Sequence, residues 1–136
     1  FVFQYPLLSA NGCILYRNET LVEQPLQLET LTARFTIEAE NFIRKQHDQQ
    51  KPFFLLFAFD KVHTALAVLR NHSGIAGDHQ HLSKPHNVSF GDCVHELDWS
   101  IGRIMEVLKE LELDQDGKTM IWFTSDNGPF LEEFEE

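Results

Sequence analysis

Two unbroken apolar runs set the strongest limit on how this chain can fold. "PFFLLFAF" (52–59) and "TMIWFT" (119–124) show no polar alternation. That is the pattern of strands buried on both faces, as in a parallel sheet with helices on either side. Between them "SFGDCVHELDWSIGRIMEVLKELEL" places Phe90, Val94, Leu97, Ile101, Ile104, Leu108 and Leu111 at alternating steps of four and three. This spacing predicts an amphipathic helix of about six turns. Upstream, "LTARFTIEAENFIRK" carries Leu31, Phe35, Ala39, Phe42 and Ile43 at helical spacing, with Thr30 as its N-cap and Pro52 closing the region beyond. A short extended segment is expected at residues 13–16. The order helix, strand, long connection, helix, strand makes 53–59 and 119–124 a parallel pair joined by a right-handed crossover.

In open parallel sheets, ligands gather at the carboxyl ends of the strands. The first run ends in "DKVHTAL" and the second in "SDNG", so both polar clusters are expected on one sheet edge. Asp126 and Asn127 offer a carboxylate and an amide oxygen, the donors of a hard cation such as calcium or magnesium. The same dipeptide also forms turns, and its place at a strand end brings the site reading level with the turn reading. His63 is a candidate general acid or base, or an anion-binding group when protonated; a surface imidazole is the plain alternative. Lys61 reads either as positive charge near an anion or as a solvated side chain. The polar stretch 60–87 is longer than an ordinary connection. It holds His72, His79, His81 and His86, which read as exposed loop residues without a zinc site, because no Cys and no helical HxxxH accompanies them. Asp98 reads as a helix-surface carboxylate and Trp99 as a partly buried indole.

At 136 residues, with 43% hydrophobic content and twelve Phe, the composition is globular. The net charge of −10 argues against nucleic acid or an anionic membrane surface as partner. Part of that charge is the terminal run Glu132, Glu133, Glu135 and Glu136, read as a solvated face. The opening "FVFQYPLL" is too short to span a bilayer. The chain starts at Phe1 and breaks off among charged residues, so an internal piece of a longer protein is expected. Three N-x-S/T sequons, at Asn18, Asn71 and Asn87, predict glycosylation and a secretory-pathway setting: endoplasmic reticulum, lysosome or cell exterior. There Cys13 is a candidate for a disulfide, while Cys93, on the helical pattern, reads as a buried small hydrophobe.

"PFFLLFAFDKVHTAL", "FGDCVHELDWSIGRIMEVLKEL" and "TMIWFTSDNG" resemble three successive blocks of the type I sulfatases. The steroid sulfatase and arylsulfatase branch is nearest, with its V-H-T-A-L-like segment, G-D-x-V-x-E-x-D-W-S-x-G-x-I helix and F-T-S-D-N/Q-G strand end. "LETLTARFTIEAENFI" is similar to the helix before the first block. The resemblance implies an alkaline-phosphatase-like α/β fold with a mainly parallel sheet flanked by helices. Residues 1–136 would be an internal part of the catalytic domain, with the nucleophile region on the N-terminal side and a C-terminal part both outside them. It implies a sulfuric ester hydrolase acting on a small-molecule or glycan sulfate ester. Asp126 and Asn127 become calcium ligands and His63 the histidine contacting sulfate.

The family's formylglycine arises from a cysteine in C-x-P-S-R, and neither Cys13 nor Cys93 sits in that motif. The nucleophile is therefore expected outside this chain, and the isolated chain is expected to be inactive. Lys61 stands where relatives often have another histidine. Some relatives carry a membrane hairpin, so membrane association is expected only through regions outside these residues. Two further readings stand beside this one. The first is a phosphatase or phosphodiesterase of the same fold. The second is a non-enzymatic, glycosylated calcium-binding domain derived from a sulfatase.

Overall fold

The computed structural model describes residues 2–4, 13–63, 66–76, 82–83 and 88–128. An antiparallel sheet opens the chain: β1 (Val2–Gln4), β2 (Ile14–Arg17) and β3 (Thr20–Glu23), in that spatial order. Arg17 stands opposite Thr20 across the tight turn. Asn18 sits in that turn at φ 56°, the left-handed region that asparagine tolerates better than most side chains. The extended segment expected at 13–16 is thus β2, displaced by one residue.

Helix α1 (Leu31–Asp48) forms where the periodicity places it. Thr30 is its N-cap position but makes no side-chain cap bond; its hydroxyl donates instead to the Gln27 carbonyl at 3.1 Å. A short antiparallel pair, β4 (Leu82–Ser83) with β5 (Val88–Ser89), leads into α2 (Phe90–Glu110). Here the cap is complete. The Ser89 hydroxyl accepts from the Asp92 N–H, and the Asp92 carboxylate accepts from the Ser89 N–H, both at 3.1 Å. This is the reciprocal capping box, with Asp in the usual Glu position. Both helices end on a left-handed residue, Gln50 at φ 53° and Glu112 at φ 55°. Lys51 N–H then donates to Gln46 O and Gln50 N–H to His47 O, and likewise Leu113 N–H to Leu108 O and Glu112 N–H to Lys109 O, the paired closing bonds of a Schellman motif.

The two helices lie side by side. Thr36 meets Ser100, Arg103 grips Glu40 through two bonds of 2.8 and 3.0 Å, Ile43 clusters with Val107 and Leu108, and Arg44 pairs with Glu110. Partner numbers rise together, so the helices run in the same direction. Residues 53–60 return against them. Phe53 meets Phe42 edge-on at 5.8 Å and joins Leu55 and Leu113 around the Ile43 cluster. At the other end, Asp60 is hydrogen-bonded to Thr32 in the first turn of α1. The segment therefore runs antiparallel to both helices.

Two expectations are not met among the described residues. The run 53–59 is not covered on both faces: Phe53, Leu55, Phe57 and Phe59 are half-buried, while Phe54 and Leu56 are 85% and 79% exposed. Residues 119–124 are similarly open, with Met120 and Trp122 both at 81%. Neither run joins a ladder among the described residues, where the ladders formed are antiparallel. A strand exists through a neighbour about 4.8 Å away, and apolar composition alone does not supply one. The second expectation concerns α2. Its buried face in the N-terminal half is Asp92, Cys93, Glu96 and Ser100, while Phe90 and Val94 of the apolar stripe are exposed. The stripe is buried only further on, at Leu108, beside Val107.

The two N-terminal caps should separate in a stability measurement. Ser89→Ala removes a hydrogen bond to an otherwise unsatisfied helix N–H and is expected to cost about 1 kcal/mol. Thr30→Ala removes no such bond and is expected to cost less than half of that. Urea denaturation of both variants beside the parent chain checks the ordering.

Candidate functional site

Residues 60–63 form the turn that follows the first apolar run. His63 N–H donates to the Asp60 carbonyl at 3.3 Å, and the His63 side chain is exposed. Lys61 is neither solvated nor open to an anion: its side chain is 4% exposed. Its Nζ lies 2.8 Å from Asp60 Oδ2 and 3.6 Å from Glu96 Oε2, and both carboxylates are buried with it. Asp60 Oδ1 accepts from the Thr32 hydroxyl at 3.0 Å, and Glu96 Oε1 accepts from the Leu69 N–H at 3.1 Å. One ammonium thus joins the turn to α2, and its two carboxylate partners extend the network to α1 and to the chain beyond His63. Burial raises the Glu96 pKa, while the Leu69 N–H and Lys61 pull it down without prevailing. Cys93 lies one helical turn before Glu96, fully buried beside Leu66 and Val68. Burial pushes its thiol up to about 11 against the opposing field of Lys61, so it is the inert small hydrophobe expected of it.

Asp92 ties down the segment after His63. Its carboxylate accepts from Gly74 N–H and Ala76 N–H, each at 3.0 Å, as well as from Ser89 N–H. Burial works to raise its pKa, but the Ala76, Gly74 and Ser89 N–H groups and the Ser89 hydroxyl together hold it below the ordinary value. His72 is a correction to the loop reading. It is buried at 3% exposure, its Nδ1 3.0 Å from His95 Nδ1 and its ring 5.2 Å from the Trp99 ring. Burial first, and the His95 imidazole second, lower its pKa. His79, His81 and His86 lie outside the described residues. Asp98 is exposed and Trp99 half-buried, as expected.

Asp126 and Asn127 are exposed in a bend in which the Ser125 hydroxyl donates to the Asn127 carbonyl at 2.8 Å. A carboxylate and an amide oxygen in adjacent exposed positions suit a hard cation. Calcium takes six to eight oxygens, more than these two residues alone can offer. Among the described residues no three His, Cys, Asp or Glu side chains gather as a metal group. Asn18 and Asn71 are exposed, as a glycan acceptor requires; Asn87 lies outside the described residues, as does the terminal glutamate run. Two surface clefts, of about 370 and 240 Å³, lie by Phe53 and Leu113 and by Leu15 and Phe35, and neither is lined by Lys61, His63, Asp126 or Asn127.

Asp60, Asp92 and Glu96 are the residues that sequence reasoning passed over. Two signals were present. Ser89-x-x-Asp92 is a capping-box spelling. Asp92, Glu96 and Ser100 also repeat at the i, i+4 spacing that stacks side chains on one helix face.

The profile of the sulfatase family matches residues 3–135. Human steryl-sulfatase is 40% identical over 122 residues, covering 90% of this chain and 19% of that protein. Human arylsulfatase H is 34% identical over 89% of the chain and 19% of its own length. Rat N-acetylgalactosamine-6-sulfatase is 36% identical over 80% of the chain and 20% of its own length. The chain therefore spans about a fifth of the curated relatives it matches.

The two buried carboxylates should act in opposite senses with pH. Asp92, its pKa lowered, contributes stability that is present above the ordinary carboxylate value and is lost as pH falls through its folded pKa. Glu96, its pKa raised, contributes stability that is present below 4.5 and is lost as pH rises through its folded pKa. Glu96→Gln is therefore expected to flatten the decline of the thermal midpoint above pH 4.5 while leaving the acid-side loss in place. Thermal unfolding from pH 3 to 8 tests both signs.

Proposed function

The chain belongs to the sulfatase family, and from that premise we propose that the protein containing it is a sulfuric ester hydrolase of the arylsulfatase and steroid-sulfatase kind. The observation that carries this reading is the family match from residue 3 to residue 135. Residues 1–136 are an internal part of the catalytic domain in this reading. The relatives' names divide between steryl and N-acetylgalactosamine-6 substrates, so the proposed substrate is a sulfate ester, small-molecule or glycan.

Family membership implies an alkaline-phosphatase-like α/β fold. We propose further that 53–59 and 119–124 are parallel strands of its sheet. Helices α1 and α2 run in one direction, and 53–60 returns antiparallel to both. The exposed faces of Phe54, Leu56, Met120 and Trp122 are apolar surface of the kind that neighbouring strands and a second helix layer cover. His63 and Asp126 each follow one of these runs, which puts both at the carboxyl edge.

There His63, protonated, would donate to a sulfate oxygen and orient the ester. Asp126 and Asn127 would give two of the oxygens that hold calcium. When bound, that ion offsets negative charge on the sulfate oxygens as the S–O bond breaks. The nucleophile, formylglycine in this reading, comes from a residue outside the chain. The sequons at Asn18, Asn71 and Asn87 support a secretory-pathway location. Among the described residues no helix is long and apolar enough to cross a membrane; membrane association through regions outside the chain is part of this proposal.

In the whole protein, Asp126→Ala is expected to lower arylsulfate turnover by about 10²-fold or more and to reduce bound calcium. Asn127→Ala is expected to be milder, since a neutral amide supplies less field. His63→Ala should lose about 10²-fold or more in turnover with calcium retained. Turnover and metal content of the three variants decide the matter, and full activity in Asp126→Ala removes the calcium assignment. For the sheet, hydrogen exchange of the whole protein should show slow amides through 53–59 and 119–124. Rapid exchange in both would overturn the strand pair.

A further inference from the structure

We propose that Lys61 is a positioning residue for His63, its buried ammonium locking the turn that presents the imidazole. The inference rests on the reading of His63 as the sulfate-contacting group and adds a residue that acts through it. A lysine two positions before such a histidine would serve equally well to attract a sulfate. The geometry points the other way. The Lys61 side chain is 4% exposed, with Nζ 2.8 Å from Asp60 Oδ2 and 3.6 Å from Glu96 Oε2. An ammonium enclosed by two carboxylates has its field cancelled at short range, and it offers no open N–H face to a ligand.

What the ammonium does instead is join separate parts of the chain. Asp60 is held to α1 through Thr32, and its carbonyl accepts the His63 N–H. Glu96 on α2 holds the Leu69 N–H on the far side of His63. Lys61 lies between the two carboxylates, so the chain before and after His63 is fixed to the same helix. Glu96 Oε2 is buried and has no hydrogen-bond partner; the ammonium beside it is its compensation. Without Lys61 the turn loses its tie to Glu96 on α2, and Asp60 is free to shift together with the His63 backbone bonded to it. A displacement of about 1 Å at a group that orients substrate can cost roughly 10²-fold in rate.

The test uses the whole protein and arylsulfate kinetics. Lys61→Met keeps most of the stem and removes the charge. Thr32→Val removes one hydrogen bond from the same network at nearly constant shape. Each is made alone and in a His63→Ala background. Lys61→Met is expected to lower kcat about 10²-fold and Thr32→Val up to about 10-fold, with KM nearly unchanged. In the His63→Ala background neither should lower kcat further, because the group they position is gone. A general loss of structure would instead reduce activity by the same factor in both backgrounds, and that result overturns the proposal. So does wild-type kcat in the single variants, or a rise in KM at constant kcat. If Lys61→Met does not fold, the Thr32→Val pair decides the question. If turnover in the His63→Ala background falls below detection, the kcat and KM split of the single variants decides it. Full activity in His63→Ala is a separate outcome: it removes the reading of His63 itself, and the positioning role with it.

Discussion

A single buried cation, the Lys61 ammonium, sets the terms for the rest of this structure. A charge taken out of water needs an opposite charge close by. Asp60 and Glu96 meet that requirement from opposite sides, one in the same turn and one on α2. Because Asp60 is also bonded to Thr32, the single cation commits α1, α2 and the turn to one relative placement. An apolar contact of similar size would stabilise the same assembly but would tolerate sliding. Buried paired charges do not, since a small shift leaves a carboxylate uncompensated.

The packed helices carry a gradient that fits this arrangement. Toward their C-terminal ends the seam is apolar, with Ile43, Val107 and Leu108 buried together. Toward their N-terminal ends it is polar: Thr36 bonds to Ser100 and to the Thr32 carbonyl, and Glu96 and Asp92 are buried nearby. Residues 53–60 run antiparallel to the helices, so their carboxyl end meets this polar end. Helix N-termini carry partial positive charge and unpaired N–H groups. That is the end at which an α/β protein can receive an anion, and His63 emerges there. The Asp92 clamp on Gly74 and Ala76 and the burial of His72 against His95 and Trp99 hold the following segment onto the same end of α2.

The apolar surface left open by residues 53–59 and 119–124 has a matching explanation. The chain spans about a fifth of the length of its curated relatives, and strands in the middle of a sheet acquire both their ladder and their second covered face from other segments. Residues 53–59 pack Phe53 and Leu55 on the helices and leave Phe54 and Leu56 exposed, the surface that the proposed parallel sheet would cover.

Several features were legible from the residues alone. Both helices followed from the 3.6-residue spacing, because helix formation uses contacts within one short segment. The family resemblance rested on three motifs in order. What the sequence left open depended on partners distant along the chain. Thr30 stood where a cap belongs, yet its hydroxyl turned back to Gln27. The apolar stripe of α2 named a helix but not its buried face, which tertiary packing assigned to Asp92, Cys93, Glu96 and Ser100. Lys61 shows the division most plainly. As a letter in the sequence it fits a solvated lysine, an anion-binding lysine or a buried one equally well. Which it is depends on whether carboxylates come within about 4 Å of its ammonium, and one of them, Glu96, does so only after the chain has folded back on itself.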